Sequence, residues 1–286
     1  MITRRTHDRS SVAALLGGMA AWPHPERVAA GLHPGDLGWH LRLTDDAIAG
    51  QIVGWWDGGD LLAVGLIEGA LGRFAIRPGH ELDPDLGDEV AAACREDLTG
   101  DEAYADVRPE TATRRILAGE GWSLDPDPWV ALHADLDRWQ PGVDVTRVTM
   151  IEATDAVADR VAVQRAGFEG STFTEEAWHR MAAGPGYRPD LDLVVMTGGT
   201  PVTVATAWWA GRGATAILEP VATHHDHRGR GWGVRGVTAL VSRLRDLGAS
   251  GVTVCTPVDY VGAVATYRAA GLHPVEQFSS LVRSTA

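Results

Sequence analysis

Apolar and polar residues alternate along the second half of the chain in a pattern that predicts strands and amphipathic helices. Residues 191–196 and 202–209 are rich in β-branched residues and are separated by a short Gly-containing turn, which predicts a β-hairpin. A third strand is predicted at residues 214–222. Apolar positions then recur at helical spacing over residues 234–247 and stop at Gly248, which predicts an amphipathic helix with a glycine at its end.

The remaining elements of this half follow from the same periodicities. Thr174 is a predicted N-cap residue, because its hydroxyl can accept from the first helical turn. The predicted helices are residues 154–166, 174–183 and 261–270, and the predicted strands are residues 143–148, 252–255 and 277–282.

The first half repeats this order of elements. Strands are predicted at residues 39–43, 51–56, 61–67, 74–76 and 129–136, and helices at residues 87–98 and 111–118. Landmarks match at a nearly constant offset, since Ala75 pairs with Ala222, Gly87 with Gly233 and Gly121 with Gly271. This spacing indicates an internal duplication and predicts two domains, residues 1–140 and residues 141–286.

Composition indicates a globular protein. The 286 residues are 45% hydrophobic and 22% charged. No apolar run approaches the roughly 18 residues of a membrane span, and the first residues lack the apolar stretch of a signal peptide. We therefore expect a cytoplasmic protein that does not bind membranes.

Charge and residue usage narrow the chemistry further. A net charge of −13 argues against non-specific nucleic-acid binding and fits a cationic or amine-bearing partner, although solubility accounts for it equally well. All 25 basic residues are arginine, which excludes lysine nucleophiles and P-loop lysines. Two cysteines, Cys94 and Cys255, are too few for a disulfide framework or a cysteine-based zinc site.

The most informative segment is a strand that enters a glycine-rich loop and then a helix, at residues 218–233. Free N–H groups at such a helix N-terminus favour a phosphate group, and Arg228 and Arg230 add positive charge. Residues 231–236 also spell G-x-G-x-x-G. We disfavour a dinucleotide-binding fold, because this fingerprint belongs at the first strand–helix turn and too little chain follows here.

The arrangement Arg228-x-x-Gly231-x-Gly233 resembles the signature of the GCN5-related N-acetyltransferases, the GNAT superfamily. The later Ala263-x-x-x-Tyr267-x-x-x-Gly271-Leu272 resembles another motif of this family, with Tyr260 where Asn is common and Leu272 where Phe is common. The resemblance covers residues 143–286 and, more faintly, residues 1–140. The two-domain layout is similar to that of mycothiol synthases and related tandem acetyltransferases.

This resemblance implies an α/β (α+β) fold of two tandem GNAT-like domains, each with a mixed, mostly antiparallel sheet flanked by helices. It implies acetyl-CoA as co-substrate, with strand backbone along the pantetheine arm, an oxyanion-stabilising N–H near Val221 and a loop around the pyrophosphate. The implied cofactor-binding residues are Val221, Ala222, Thr223, Arg228, Gly229, Arg230, Gly231, Trp232, Gly233 and Val234.

Two residues are expected to act in catalysis. Glu219 is our candidate general base, the alternative being a sheet-edge or arginine-paired carboxylate. The resemblance implies that Tyr267 protonates the departing thiolate, the alternative being a tyrosine of the core. Trp208 and Trp209 are expected to line an acceptor cleft, unless both simply pack.

The remaining motifs carry less chemistry. His224, His225, Asp226 and His227 are consecutive on one loop, and such residues rarely converge on one ion, so we expect no metal. At the matching place the first half has Pro84, which lacks an N–H, among three carboxylates at residues 81–85. We therefore expect a degenerate domain without a cofactor, which shapes the acceptor pocket.

These features predict an acetyl-CoA-dependent N-acetyltransferase that acts on a small-molecule amine by direct attack on the thioester. The alternative is a non-catalytic CoA-binding or sensory module that keeps the same fold. The acceptor, the acyl preference and the oligomeric state are left open by the sequence.

Overall fold

The computed structural model describes residues 1–22, 31–146 and 148–284. In it, two seven-stranded sheets are flanked by helices. The first half contains β1 (Ile2–His7), α1 (Val12–Ala20), α2 (Pro34–His40), α3 (Asp45–Ile48), β2 (Ile52–Asp57), β3 (Asp60–Glu68), β4 (Leu71–Ile76), α4 (Pro84–Glu96), β5 (Glu102–Asp106), α5 (Ala112–Gly119), β6 (Ser123–Leu124) and β7 (Trp129–Asp135).

The second half repeats most of this order. It contains β8 (Thr149–Glu152), α6 (Val157–Gly167), α7 (Glu175–Ala182), β9 (Asp192–Thr197), β10 (Thr200–Trp208), β11 (Thr215–Thr223), α8 (Trp232–Leu247), β12 (Gly251–Pro257), α9 (Val261–Ala269), β13 (His273–Phe278) and β14 (Leu281–Ser284). Single 3-10 turns lie at Ala153–Asp155, Pro189–Leu191 and His225–His227.

The two sheets exchange one strand with each other. The first sheet has the order β1-β2-β3-β4-β5-β14-β6, and the second has the order β13-β7-β12-β11-β10-β9-β8. Strand β7 therefore completes the sheet of the second half, and the C-terminal β14 completes that of the first. The domain boundary at residue 140 stays a prediction. Each half on either side of it contributes one strand to the sheet of the other half.

Both sheets are mixed but mostly antiparallel, which confirms the predicted fold class. Only β4–β5 and β11–β12 pair in parallel among the described strands. Helix α8 begins and ends within two residues of its prediction, and Gly248 ends it with a φ of 91°. Thr174 caps α7 by accepting from the backbone N–H of Ala177 at 3.2 Å, as predicted. Within the described residues, no helix has the length and apolarity that a membrane crossing requires.

The predicted strand at residues 39–43 is wrong. Helix α2 occupies residues 34–40, with Pro34 in its first turn. His33 is its N-cap and accepts from the Gly35 N–H, while the Asp36 carboxylate accepts from the His33 N–H at 2.6 Å. Histidine is an uncommon N-cap, so this reciprocal capping is not evident from residue preferences.

Two other strand predictions need correction. Residues 143–146 form a bend, because the Asp144 carboxylate accepts from the backbone and hydroxyl of Thr146, and strand β8 begins only at Thr149. Arg147 lies outside the described residues. The predicted strand at 277–282 divides at residues 279–280 into the end of β13 and the start of β14, which lie in different sheets.

Helix α2 of the first half packs directly on the sheet of the second half. A Cβ atom at Gly35 would lie 2.5 Å from the side chains of Ile217 and Trp208, and one at Gly38 would lie 2.5 Å from the Trp208 ring. Only glycine allows this approach. His33 adds a polar contact across the same boundary, with Nε2 3.1 Å from the Thr215 carbonyl oxygen. The two halves therefore share one interface around β10, β11 and α2.

Candidate active site

The centre of the candidate site is a gap between the parallel strands β11 and β12. These strands pair only from Thr215 to Ile217, although β11 continues to Thr223. Six residues of β11 therefore have no partner on the β12 side among the described strands. At about 3.3 Å per residue, the unpaired edge is roughly 20 Å long. Its backbone N–H and C=O groups are available to an extended ligand.

Glu219 lies at an irregularity of β11. Leu218 pairs with Ala207, but Val221 pairs with Ala205, so β11 holds one extra residue at Glu219 and Pro220. The indole N–H of Trp208 donates to the Glu219 carbonyl oxygen at 2.7 Å. Such a bulge redirects a side chain at the point where pairing ends. It places Glu219 at the mouth of the gap.

The predicted phosphate loop has the backbone that a phosphate site needs. Gly229 and Gly231 adopt φ values of 72° and 76°, which a residue with a Cβ rarely adopts. Helix α8 starts directly after Gly231, has no side-chain cap and has no acidic residue in its first turn. Its first N–H groups and the positive end of its dipole therefore remain available to an anion.

The start of α8 lies close to β11 and α9 at Gly233. A Cβ atom there would lie 3.1 Å from the Thr223 hydroxyl and 3.2 Å from the Thr266 methyl group. The Thr223 hydroxyl also lies 2.9 Å from that of Thr203. Glycine at this position lets α8 start against β11 and α9.

The side chains of the loop point in different directions. Arg228 donates to the Gly167 carbonyl oxygen at 2.6 Å and so ties the loop to the end of α6. Arg235 stacks on Trp232, with 5.1 Å from its guanidinium carbon to the ring centroid. Arg230 is exposed. Arg228 stabilises the loop conformation, whereas the Arg230 side chain makes no such bond to another described residue.

The histidine cluster beside this loop brings potential ligand atoms together. One ligand atom each from His224, His225 and Asp226 lies within 4.8 Å of the others. However, Nδ1 of His224 accepts from the Asp226 N–H at 3.2 Å, and Nδ1 of His225 lies 2.9 Å from the Ala166 carbonyl oxygen. These hydrogen bonds give the cluster a structural role, since they form a turn that anchors the loop. The absence of a metal ion stays an expectation.

Glu219 is strongly perturbed by its surroundings. Burial raises the pKa of its carboxyl, and the neighbouring Asp36 raises it further by charge and by a side-chain hydrogen bond, to about 8; Arg73 and Arg42 act in the opposite direction. Its Oε2 atom is buried and has no hydrogen-bond donor among the described residues. A carboxyl with a pKa near operating pH suits proton transfer.

The groups around Glu219 come from the first half of the chain. Arg73 on β4 donates to Asp36 Oδ1 at 2.7 Å and to Glu68 Oε2 at 2.9 Å. His40 Nδ1 lies 3.3 Å from Glu68 Oε1. Burial opposes ionisation of Glu68, but the hydrogen bonds and charges of His40 and Arg73 hold its pKa at about 2. A connected polar chain therefore runs from α2 and β4 to the catalytic candidate.

Tyr267 lies on α9 and is 8% exposed. Burial raises the pKa of its phenol, and electrostatic interactions with Glu219 and Cys255 raise it further. The hydroxyl is therefore a protonated donor at ordinary pH. It packs with the core of the second half, so both the acid role and the core role remain predictions.

Cys255 on β12 is an inert neighbour in this region. Burial raises the pKa of its thiol, and the carboxylates Asp106, Asp36 and Glu219 raise it further. The thiol is therefore neutral at ordinary pH and lacks the thiolate character of a nucleophile.

The two tryptophans lie beside an apolar cleft between the halves. Trp208 is buried under α2, whereas Trp209 is partly exposed and donates to the Ala214 carbonyl oxygen at 3.1 Å. Both line a cleft of about 230 Å³ together with Leu16, Gly17, Ala20, Pro34, Gly35, Pro185, Gly186 and Ala210. The geometry gives Trp208 a packing role and leaves Trp209 as the better candidate for ligand contact.

The sequence interpretation missed Asp36, Arg73 and Arg42. The wrong strand at residues 39–43 hid α2, and with it the position of Asp36. A proline two residues before Asp36 could have indicated the start of a helix. No local pattern shows that this helix faces Glu219, 183 residues away along the chain.

The comparisons agree with this geometry. Residues 162–272 match the acetyltransferase (GNAT) family. No curated protein matches the chain.

Similar solved structures show the same fold over the whole chain. A tandem GNAT protein from the clavulanic acid biosynthesis pathway is 16% identical, with a TM-score of 0.64 and coverage of 100% of this chain and 99% of that one. A GNAT-family acetyltransferase from Colwellia psychrerythraea is 13% identical, with a TM-score of 0.62 and full coverage of both chains. A GCN5-related N-acetyltransferase from Sphaerobacter thermophilus is 16% identical, with a TM-score of 0.59 and coverage of 99% and 95%.

Proposed function

We propose that the chain is an acetyltransferase of the GNAT superfamily built from two GNAT-like domains, and that it transfers the acetyl group of acetyl-CoA to the amino group of a small acceptor. One observation carries this proposal. The unpaired edge of β11 leads directly to the uncapped N-terminus of α8. A thioester with a long amide-bearing arm and a pyrophosphate needs these two surfaces in this order.

The residues fit acetyl-CoA at both ends. The backbone of Val221, Ala222 and Thr223 offers hydrogen bonds along the gap, as an added strand would use them. The loop from Arg228 to Val234 offers backbone N–H groups to phosphate oxygens. A side-chain carboxylate would repel these oxygens, and the first turn of α8 has none.

We assign the proton transfers to two side chains, Glu219 and Tyr267. Glu219 takes a proton from the acceptor amine, because a protonated amine has no lone pair for attack on the thioester carbonyl carbon. The amine then forms the amide bond while the carbon–sulfur bond breaks. Tyr267 donates its phenolic proton to the leaving sulfur. A backbone N–H near Val221 stabilises the negative oxygen of the addition intermediate.

The experiment is an assay of thiol release from acetyl-CoA with a panel of primary amines, with mass spectrometry of the products. We expect amine-dependent release of CoA and an acetylated amine, both strongly reduced in Glu219→Gln. The matched control is Glu120→Gln, which changes an exposed carboxylate that pairs with Arg95. Tight binding of acetyl-CoA without thiol release for any amine would favour the non-catalytic CoA-binding module instead.

A further inference from the structure

We propose that Asp36 and Glu219, one from each half of the chain, form a carboxyl pair that binds the ammonium group of the acceptor. This inference rests on the proposed function and specifies its acceptor as a cationic amine. It also assigns a direct role to the first half of the chain, which supplies one of the two carboxyl groups.

Asp36 is held rigidly at the boundary between the halves. It lies in the first turn of α2 and is 5% exposed. Its Oδ1 accepts from Arg73 at 2.7 Å and its Oδ2 accepts from the His33 N–H at 2.6 Å. The glycine contacts of α2 with Trp208 fix the helix on β10 and β11. The side chain is therefore fixed on the face of α2 that packs on β10 and β11, where its charge and a side-chain hydrogen bond act on Glu219.

The arginines near the pair are already engaged by other groups, so an additional cation could interact with Glu219. The groups that face Glu219 are Asp36, Arg42 and Arg73 from the first half, and Cys255 and Tyr267 from the second. Arg73 is already shared between Asp36 and Glu68. Arg42 donates to the Trp39 carbonyl oxygen and stacks on the Trp39 ring.

No ion pair joins Glu219 to an arginine in the part of the chain that the structure describes. When Glu219 is ionised, its negative charge lies beside that of Asp36, and the guanidinium group of Arg73 that binds Asp36 is also shared with Glu68. Without a ligand the pair avoids this charge by keeping a proton. An ammonium group replaces that proton and donates to Glu219 Oε2, which has no donor among the residues that the structure describes.

The same contact prepares the reaction, and its protons balance. The acceptor arrives as R–NH3⁺ while Glu219 is ionised, and Asp36 remains ionised against Arg73. Glu219 then takes one proton, which leaves R–NH2 with a lone pair beside the thioester. As the amide forms, the nitrogen loses a second proton, which replaces the one that Tyr267 gives to the leaving sulfur. The proton on Glu219 then returns to solvent. A neutral alcohol or amide cannot compensate the charge, so the site selects against both.

Binding of benzylammonium to the protein saturated with CoA tests this directly, because CoA without an acetyl group cannot react. Calorimetry at pH 8.5 should show that benzylammonium binds at least tenfold more tightly than benzyl alcohol, which has the same ring and no charge. Asp36→Asn should weaken benzylammonium binding about 10- to 100-fold, as expected for a hydrogen bond to a charged group. It should leave benzyl alcohol and CoA binding unchanged.

Asp97→Asn is the matched control, since Asp97 is a partly buried carboxylate paired with Arg4 away from the site. It should leave benzylammonium binding unchanged. Equal affinity for benzylammonium and benzyl alcohol in the wild-type protein would overturn the proposal, and this comparison holds even if Asp36→Asn does not fold. A folded Asp36→Asn that binds benzylammonium normally would overturn it as well. Failure of acetyl transfer with normal benzylammonium binding would refute the proposed function alone.

Discussion

Helices α4 and α8 occupy matching places in the two halves, but their N-termini have opposite chemistry. Helix α8 follows two left-handed glycines and has no side-chain cap. Helix α4 starts with Pro84, and the Asp83 carboxylate accepts from the N–H groups of Asp85 and Leu86 at 3.0 and 3.2 Å. The first-turn N–H groups that would bind phosphate are thus consumed by a carboxylate in the first half. The same fold keeps a helix stable while removing its anion site.

The strands beside these helices differ in the same direction. Strand β4 pairs with β5 up to Arg73 and extends three residues beyond it, whereas β11 extends six residues beyond its last pairing with β12. Strand β4 also pairs with β3 without an extra residue, so the first half has no counterpart of the bulge at Glu219. Among the described residues, a long gap and an uncapped helix occur together only in the second half. This concordance is why we assign one cofactor site to each chain.

Tyr267 provides the largest expected effect. Tyr267 lies four residues before Gly271. The matching position in the first half, four residues before Gly121, is Leu117, which has no hydroxyl to donate a proton. We expect Tyr267→Phe to lower kcat roughly 10²- to 10⁴-fold with little change in the KM for acetyl-CoA, as loss of a general acid does. Steady-state kinetics measure both values. Tyr104→Phe, which changes a partly exposed tyrosine that donates to Glu102, should be silent. A change in kcat below about threefold would assign Tyr267 to the core.

The charge at the start of α8 gives the next effect. Gly231→Asp should weaken acetyl-CoA binding about 100-fold, because it places a carboxylate at the N-terminus of α8, as Asp83 does at the N-terminus of α4. Gly231→Asn has nearly the same shape and the same strain at φ 76°, so only the charge differs. We expect a loss about tenfold smaller for Asn, measured by calorimetry. Equal losses in the two variants would show that backbone strain, and not charge, controls the site.

Glu219 predicts a pH-dependent difference in stability. Its pKa of about 8 in the folded protein exceeds the usual value near 4.5, so the folded state favours the protonated form. The stabilisation is fully present below about pH 4.5 and is lost as the pH rises through 8. Glu219→Gln should therefore raise the Tm relative to wild type more at pH 9 than at pH 5. A difference independent of pH would show that the carboxyl is not perturbed.

The smallest expected effect comes from the first half. Asp83→Ala removes the carboxylate that caps α4 and should lower stability by about 1 kcal/mol. It should not create a second acetyl-CoA site, because the gap between β4 and β5 remains short. Thermal unfolding and calorimetry measure the two effects. The appearance of a second site would show that the cap alone suppresses binding.

The strengths and failures of the sequence interpretation have physical causes. Local sequence pattern determines periodic segments such as α8 and the β9–β10 hairpin. The glycine-rich loop can be predicted from the sequence because its positive φ values favour glycine. Strand exchange is invisible in the sequence, since β7 and β14 have ordinary strand patterns whichever sheet they enter. Asp36 was missed for a similar reason. Its role depends on a long-range approach permitted by Gly35 and Gly38.

The stoichiometry of acetyl-CoA binding tests the central claim most directly. Isothermal titration of the full chain should give one site per chain, and Gly231→Asp should weaken binding at that site about 100-fold while Asp83→Ala leaves it intact. Two equivalent sites, or one site that survives Gly231→Asp and disappears in Asp83→Ala, would contradict the account.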